Sequence, residues 1–245
     1  MTARSSGGAV ITAGGVIAAG KGTRLKRLGV PKPMVEVAGV PLIEHVLSNF
    51  QAAGVVSAAV IFNSSEEGCA AFVRERFGKL VSKVVVKTTR SSLESFREIL
   101  SAAPKGRLLV STVDSFCPRE DFLRFARLAA ETPSDTTVLA VTGFVEDEKP
   151  LWVTTTRKGR VTVVGGASGD AVTAGIYVVP ERVRRMRIPE SLPRLRDYLA
   201  WLCKSGEPMQ AVEIAKVVDV DRAEDLEAAE DLARERTHTD AGRSR

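Results

Sequence analysis

Apolar residues recur along this chain in two alternating patterns. Short continuous apolar runs, which are typical of buried strands, occupy residues 16–19, 55–63, 83–87, 108–112 and 138–141. Between these runs, apolar positions repeat at helical spacing over residues 42–53, 66–77, 93–102 and 119–131. Strands that alternate with helices in this way predict an α/β, Rossmann-like fold, with a mostly parallel sheet and helices on both faces.

The alternation changes after residue 150. Residues 151–156 and 160–164 have the pattern of two paired strands joined by a glycine turn, and another strand is predicted over 175–179. We therefore expect residues 150–180 to form a small antiparallel insertion that serves as a lid or acceptor subsite. The chain then returns to a helix over 193–204, a strand over 212–220 and a helix over 223–234.

Length and composition fit one globular domain. The 245 residues can bury one sizeable core, and the fractions of charged residues (27%) and apolar residues (44%) are ordinary for a soluble protein. We predict a single domain over 9–235, between a disordered leader (1–8) and a disordered tail (236–245). The net charge of +5 is mild, and no basic stripe with interleaved aromatic residues argues for nucleic acid as a partner.

The remaining composition favours a cytoplasmic protein without a membrane partner. No apolar run approaches the roughly 20 residues that span a bilayer. The three cysteines are widely spaced and there are two histidines, so we expect buried thiols in a reducing compartment and not a zinc site. His45 lies on an apolar helix, where a structural role is favoured, and no Ser-His-Asp or Cys-His set indicates covalent catalysis. The sequence is compatible with a homodimer but does not predict one.

The first strand ends on a glycine turn that has the chemistry of a phosphate site. Gly20 and Gly22 let the backbone turn sharply, so that main-chain N–H groups can approach a ligand. Two cations follow, Arg24 beside the turn and Lys32 in a polar segment between two prolines. A P-loop is disfavoured because the residue after Lys21 is neither serine nor threonine. A dinucleotide-binding turn is disfavoured because a leucine replaces its third glycine.

Residues 14–45 resemble the signature of the nucleotidyltransferases that make nucleotide sugars, and of related cytidylyltransferases of alcohol phosphates. After the first strand, that signature has a G-x-G-T-R-L turn, a P-K-P segment and a G-x-P-L-I-x-H helix start. The matching residues here are Gly20, Gly22, Thr23, Arg24, Leu25, Pro31, Lys32, Pro33, Gly39, Pro41, Leu42, Ile43 and His45. So many matches in order make a specific signal.

The resemblance implies an activity and a cofactor. A sugar 1-phosphate, or a polyol or alcohol phosphate, would attack the α-phosphorus of an NTP and release pyrophosphate. Arg24 and Lys32 would be the catalytic cations, since this chemistry depends on positioning and charge neutralisation. The cofactor would be Mg2+, which neutralises charge on the α-phosphate and the leaving group. The nucleotide would bind the strand end and turn, at Ala18, Ala19, Gly20, Lys21, Gly22 and Thr23.

Three aspartates are the expected Mg2+ ligands. Asp114 follows the strand at 108–112, and open α/β sheets bind ligands at the carboxyl ends of their strands. Asp219 and Asp221 follow the last strand and resemble the D-x-D segment that ends the catalytic domain of such enzymes. On the residues alone, an aspartate after a strand can instead cap a helix. We expect one of Asp219 and Asp221 to cap the last helix and the other to bind the ion.

Two further segments are candidates for substrate recognition. One occupies the place where the resembled enzymes read the base, although a helix cap explains it equally well. The other is a T-A-G segment, which resembles the N-A-G that contacts the sugar in those enzymes. The candidates are Thr89, Arg90, Ser91 and Ser92 for the base, and Thr173 and Gly175 for the acceptor.

Two other functions are compatible with part of this pattern, and Lys149 is not expected to belong to the site. A guanylyltransferase of the molybdenum-cofactor type would have R-M-G and D-K where this chain has Leu25 and a P-K-P segment. A non-catalytic, nucleotide-sensing relative would be expected to lose a cation or a metal ligand, whereas Arg24, Lys32 and Asp114 are all present. Lys149 lies in an E-K-P segment like that of the sugar-phosphate enzymes, but ahead of the predicted hairpin, and we expect it to face solvent.

Overall fold

The computed structural model describes residues 10–20, 22, 24–25, 29–144 and 149–243, with 236–243 described by main chain alone. Its strands, in chain order, are β1 (Ala13–Ala18), β2 (Glu36–Val37), β3 (Val40–Pro41), β4 (Ser57–Phe62), β5 (Val81–Val86), β6 (Leu108–Thr112), β7 (Ser115–Phe116), β8 (Thr137–Thr142), β9 (Trp152–Thr155), β10 (Val161–Val164), β11 (Ala171–Val179), β12 (Met209–Glu213) and β13 (Val218–Asp219). In the described residues, β2 pairs with β3 and β7 pairs with β13, and the other nine strands form the central sheet.

The helices follow the predicted stripes closely. They are α1 (Leu42–Ala52), α2 (Glu67–Phe77), α3 (Ser92–Ala102), α4 (Arg119–Glu131), α5 (Glu181–Arg184), α6 (Leu195–Lys204) and α7 (Ala223–Arg243). The sequence predicted that the last helix ends at residue 234, but α7 continues to Arg243 because no proline or glycine interrupts it before Gly242. Within the described part of the chain, no helix has the length and apolar character needed to cross a bilayer.

Helices cover both faces of the sheet, which confirms the predicted fold class. The strand order β10-β9-β11-β6-β1-β4-β5 puts β1 inside the sheet. Successive residues of a strand face opposite sides, and in β1 a Cβ on Gly14 would lie 2.6 Å from the Phe50 ring of α1. A Cβ on the neighbouring Gly15 would collide with Ile99 of α3. The two glycines therefore let one helix approach the central strand on each face.

The carboxyl edge of the sheet is where the chain places its polar side chains. Strands β6, β1, β4 and β5 are parallel neighbours, so their carboxyl ends share one edge. Strand β11 runs antiparallel to β6, with Ile176 opposite Ser111, so the first half of β11 reaches the same edge. Residues 150–180 are thus an antiparallel extension of the main sheet, through β9, β10 and β11, and not a separate layer.

The predicted strand over 212–220 is divided between two sheets. Strand β12 pairs in parallel with β8, and its ladder ends after Ile214 N donates to Val141 O at 2.9 Å. The chain then leaves the main sheet, and β13 pairs antiparallel with β7. The sequence did not show the break because Val217 and Val218, which follow it, continue the apolar pattern, and both are buried in the structure.

Arg184 of α5 joins that short helix to the end of α3. Its guanidinium donates to the carbonyl groups of Leu100 and Ala103, both at 2.9 Å, and to those of Pro104 and Gly106 in the following loop. The last carbonyl groups of a helix have no partner within the helix. The side chain of Arg184 is 6% exposed, so it satisfies these groups in a place that excludes most water.

We expect Arg184→Met to lower the free energy of unfolding by about 2–4 kcal/mol, because it leaves several buried carbonyl groups without a donor. The matched control is Arg185→Met. Arg185 also pairs with Glu181, but its side chain is 70% exposed, so its loss should change stability by less than about 0.5 kcal/mol. Urea denaturation followed by circular dichroism measures both. Equal effects of the two substitutions would contradict the role of Arg184.

Candidate active site

A buried lysine lies between two of the predicted metal ligands. Lys32 begins a 3-10 turn over Lys32–Met34, which follows Pro31. Its ammonium donates to Asp114 Oδ2 at 2.6 Å and also to Asp221 Oδ1. The sequence indicated a polar turn, but the Lys32 side chain is 6% exposed, because the turn packs under the glycine loop. One predicted catalytic cation and two predicted metal ligands are therefore in direct contact.

The charges in this cluster stabilise one another. Burial alone would lower the pKa of Lys32, but the carboxylates of Asp114, Asp221 and Asp219 outweigh it and hold that pKa above its ordinary value. Burial alone would raise the pKa of Asp114, but the Lys32 ammonium and a hydrogen bond from Thr112 hold it below its ordinary value. Lysine and aspartate are consequently both ionised at neutral pH.

Asp114 and Asp219 come together through a small sheet that the sequence did not predict. Asp114 follows β6 and precedes β7, and in the β7–β13 pair Ser115 lies opposite Asp219. The main chain is tied at the same point, since Val220 N donates to Asp114 O at 2.9 Å. The expectation was that both aspartates end strands of the main sheet. Instead, β13 leaves the main sheet and pairs antiparallel with β7, which places Asp219 next to the turn that carries Asp114.

Asp221 is bound by cations, and the helix-capping role belongs to another residue. Besides Lys32, Asp221 faces Arg24, whose Nη1 lies 3.4 Å from Asp221 Oδ2. At the start of α7 it is Asp225 whose carboxylate accepts from the N–H groups of Asp221 and Arg222, at 2.9 and 2.7 Å. A carboxylate in the first turn that reaches back to the helix start is the capping-box arrangement. We expected one of Asp219 and Asp221 to cap the last helix, but these contacts give the capping role to Asp225.

The glycine turn lies directly against Lys32. Gly22 has a φ of +51°, and a Cβ there would lie 2.9 Å from Lys32 Cβ, so this position requires glycine on two grounds. Leu25 N donates to Gly22 O at 3.1 Å and closes the turn. Ala18 and Ala19 are buried at the end of β1, and Gly20 is exposed. The predicted contacts of Lys21 and Thr23 lie outside the described residues.

A cleft of about 470 Å³ opens beside the cluster at the carboxyl edge of the sheet. Asp114, Asp219, Asp221 and Arg24 line it, and so do both predicted acceptor-binding residues, Thr173 and Gly175. The structure thus brings Arg24, the predicted carboxylates and the acceptor segment to one cavity, and Lys32 lies behind its wall in contact with Asp114 and Asp221. Its size is within the range of small-molecule sites.

Gly175 forms the point where β11 meets the turn after β6. It has a φ of +70°, and a Cβ there would lie 2.6 Å from Thr112 Oγ1 and would collide with Ser115 Oγ. The pairing of β11 with β8 shifts register between Thr173 and Tyr177, which is a bulge centred on this glycine. The Tyr177 hydroxyl is buried and hydrogen-bonded to Thr173, and it was missed in the sequence because it lies within an apolar strand.

The predicted base-reading segment forms the cap of α3. Ser91 Oγ accepts from Glu94 N at 3.2 Å, and the Glu94 carboxylate accepts from Arg90 N at 2.7 Å. Thr89 shares a hydrogen bond with Ser95, at 2.7 Å between the two hydroxyl oxygens. The alternative interpretation, a helix cap, is therefore present in the structure.

Ser92 and Lys149 both line the cleft. Ser92 Oγ accepts from Leu195 N at 3.1 Å, which leaves its hydrogen able to face a ligand. Lys149, which the sequence led us to discount, is exposed but lies at the cleft. Its place could not be read from the sequence, because it depends on a tertiary contact, the hydrogen bond from Arg196 Nη2 to Lys149 O.

The carboxylates do not by themselves make a metal site. Among the described side chains, no group of three histidine, cysteine, aspartate or glutamate residues is arranged to hold an ion. The ammonium of Lys32 lies between Asp114 and Asp221. The donor set nevertheless suits Mg2+, since that ion commonly binds through one or two carboxylates and takes its other ligands from substrate phosphates and water.

Two curated proteins match part of the chain. The N-acetylmuramate alpha-1-phosphate uridylyltransferase of Caulobacter vibrioides is 36% identical over 107 residues, which are 41% of this chain and 44% of that protein. The bifunctional protein GlmU of Heliobacterium modesticaldum is 34% identical over 115 residues, which are 47% of this chain and 23% of that protein. The matched part thus spans less than half the length of either relative.

The fold also matches a solved structure over most of its length. The inositol-1-phosphate CTP transferase from T. maritima superposes with a TM-score of 0.75 at 19% identity, covering 86% of this chain and 90% of that one. At that identity the likeness concerns the fold. The model of a family described as the MobA-like NTP transferase domain matches residues 14–237, which confirms the resemblance found in the glycine turn. The chain belongs to the MobA-like NTP transferase domain family.

Proposed function

We propose that this protein transfers a nucleotidyl group from an NTP to the phosphate of a sugar 1-phosphate, a polyol phosphate or an alcohol phosphate. The observation that carries the proposal is the Lys32 ammonium, held by Asp114 and Asp221 beside the glycine turn and the cleft. Membership of an NTP transferase family supports it. The names of two relatives, which act on N-acetylmuramate alpha-1-phosphate and inositol 1-phosphate, support a sugar or polyol phosphate as the acceptor.

The chemistry requires positioned charge more than proton transfer. An oxygen of the acceptor phosphate forms a bond to the α-phosphorus, and the bond from that phosphorus to the bridging oxygen of pyrophosphate breaks. Both phosphates are already ionised, so the barrier comes from bringing anions together and from charge on the leaving group. Lys32 would neutralise the attacking phosphate and the α-phosphate. Arg24, with main-chain N–H groups of the glycine turn, would bind the β- and γ-phosphates.

The proposal also includes a Mg2+ ion. Asp114 and Asp221, with Asp219 beside them, would hold Mg2+, which when bound supplies charge neutralisation at the α-phosphate and the leaving pyrophosphate. In the protein alone, Lys32 and Arg24 neutralise the same carboxylates. The two cations are thereby kept at the place where the phosphates must meet, without an uncompensated buried charge.

We expect Lys32→Met to lower kcat by about 100-fold or more, the scale of removing one preorganised charge from a transition state. Pyrophosphate release with each of the four NTPs and a panel of sugar and alcohol phosphates measures this. Lys204→Met, an exposed lysine at the end of α6, is the matched control and should keep full turnover. Because Lys32 is buried, circular dichroism must first show that the variant is folded. A folded variant with near-normal kcat would refute the catalytic role of Lys32.

We also expect CTP or UTP to be preferred over GTP by a factor on the order of 100 in kcat/KM, since polar groups left unpaired by the wrong base are costly. The segment at residues 88–92 would provide those groups through its main chain and Ser92, because Thr89 and Ser91 are engaged within the cap. Two relatives named for uridylyl and CTP transfer support a pyrimidine. Kinetics with all four NTPs decide the matter, and comparable values would leave the segment as a cap alone.

A further inference from the structure

Among the cations that line the cleft, Arg222 lies next to Asp221 in the sequence, and three others have no role in the reaction proposed above. Lys149, Arg194 and Arg196 all line the cavity, whereas the nucleotidyl transfer needs Arg24 and Lys32. We call these three residues and the segments that carry them, 149–151 and 194–196, the cationic wall. Its charges lie outside residues 14–45, which carry the glycine turn and the P-K-P segment, and Lys149 belongs to the E-K-P segment described above.

The cationic wall is fixed to the rest of the fold. Arg196 Nη2 donates to Lys149 O at 2.6 Å, which ties the segment before β9 to the first turn of α6. Leu195 N donates to Ser92 Oγ at 3.1 Å, which ties the same turn to the start of α3. The wall is therefore held at a set distance from the nucleotide side of the cleft. A binding surface held in this way needs little ordering when a ligand arrives.

The guanidinium of Arg194 keeps most of its hydrogen-bonding capacity. Its contact to Asp197 Oδ2, at 3.4 Å, is long for a charged hydrogen bond, and its side chain is 60% exposed. Arg196 is half-buried, and its Nη2 donates to a neutral oxygen, the carbonyl of Lys149. Each arginine has five N–H donors, so donors remain for a further acceptor.

The carboxylates of the cleft belong to other segments. Asp114 follows β6, Asp219 ends β13, Asp221 precedes α7 and Asp225 lies in the first turn of α7, whereas the described lining residues of the cationic wall include no acid. The hydroxyl of buried Tyr177 is affected by charges of the carboxylates and by a charge of the cationic wall. Burial raises its pKa to about 12, the nearby Asp219 and Asp114 raise it too, and the charge of Arg196 lowers it. The pKa of Tyr177 therefore responds to charges of both the carboxylates and the cationic wall.

Apolar side chains lie beside the cationic wall. Leu151 and Leu195 belong to its own segments, and Val172 of β11 lines the cleft with them. A ligand that reaches from Lys32 to the arginines would place its carbon skeleton against these residues. Its anionic ends would meet cations at both ends of the cavity.

We propose that the acceptor carries a carboxylate in addition to the phosphate that reacts, and that Arg194 and Arg196 bind it. This inference rests on the proposed function, because it names the class of acceptor for the same site. The planar guanidinium groups suit an oxyanion, which they can bind through two parallel hydrogen bonds. Lys149 adds charge to the same side of the cleft.

Two pairs of acceptors test the inference, and in each pair one member carries a carboxylate that the other lacks. N-acetylmuramic acid 1-phosphate differs from N-acetylglucosamine 1-phosphate by a lactyl carboxylate, and 3-phosphoglycerate differs from glycerol 3-phosphate by oxidation of one alcohol to a carboxylate. Binding is measured by isothermal titration calorimetry, and turnover by pyrophosphate release with each NTP. We expect the carboxylated member of at least one pair to bind at least about tenfold more tightly, the size of a charge-assisted hydrogen bond.

The double variant Arg194→Gln/Arg196→Gln should reduce that preference to within about threefold. Arg157→Gln, an exposed arginine in the β9–β10 turn, is the matched control and should keep the preference. Equal or tighter binding of the uncarboxylated member in both pairs would overturn the inference, and so would a preference that survives the double variant. In either case turnover of the uncarboxylated acceptors would leave the proposed function standing. Selective binding without any pyrophosphate release would instead support the anion site and refute nucleotidyl transfer.

Discussion

The site depends on one interaction, the buried ammonium of Lys32 between Asp114 and Asp221. A buried charge is tolerated when opposite charges meet it, and loss of one partner leaves the others uncompensated. Lys32 lies in the turn region after β1, Asp114 follows β6, and Asp221 precedes α7. Lys32 is 82 positions from Asp114 and 189 positions from Asp221 in the sequence. Their contact therefore fixes how the two ends of the domain meet.

Several local features serve that contact. Gly22 has a positive φ and no side chain, so the glycine loop can lie on Lys32. Gly175 lets β11 bulge against the turn that carries Asp114. The short β7–β13 pair holds Asp219 opposite Ser115, and Asp225 caps α7 so that Asp221 faces the cations. Each feature places a main-chain segment where a larger residue or a different cap would displace a charged side chain.

The elements that sequence predicted well are those with a strong period. Helices α1, α3 and α4 and the strands β1, β4 and β6 have a single buried face or a full apolar run, so pattern alone locates them. Prediction failed where pairing is decided by distant segments. The run at 212–220 divides between two sheets, and β11 joins the main sheet because β6 and β8 both offer it an edge. Neither pairing changes the periodicity of apolar residues in the sequence.

The residues of the candidate site likewise include some that the sequence predicts and some that it does not. Arg24, Lys32 and Asp221 lie in recognisable motifs, Asp114 follows a predicted strand, and the structure gathers all four. Arg194 and Arg196 lie in a helix start that has no motif, and their place in the cleft depends on how α6 packs against α3 and the segment at Lys149. Tertiary packing, and not local sequence, put them there.

The products of the reaction test the central claim most directly. The protein is incubated with Mg2+, each NTP and the acceptor panel, and the mixture is examined by 31P nuclear magnetic resonance and mass spectrometry. The account predicts equal amounts of pyrophosphate and of a product in which the α-phosphorus is joined through one oxygen to the acceptor phosphorus. Nucleoside monophosphate with pyrophosphate and no joined product, or tight NTP binding with no turnover by any pair, would contradict it.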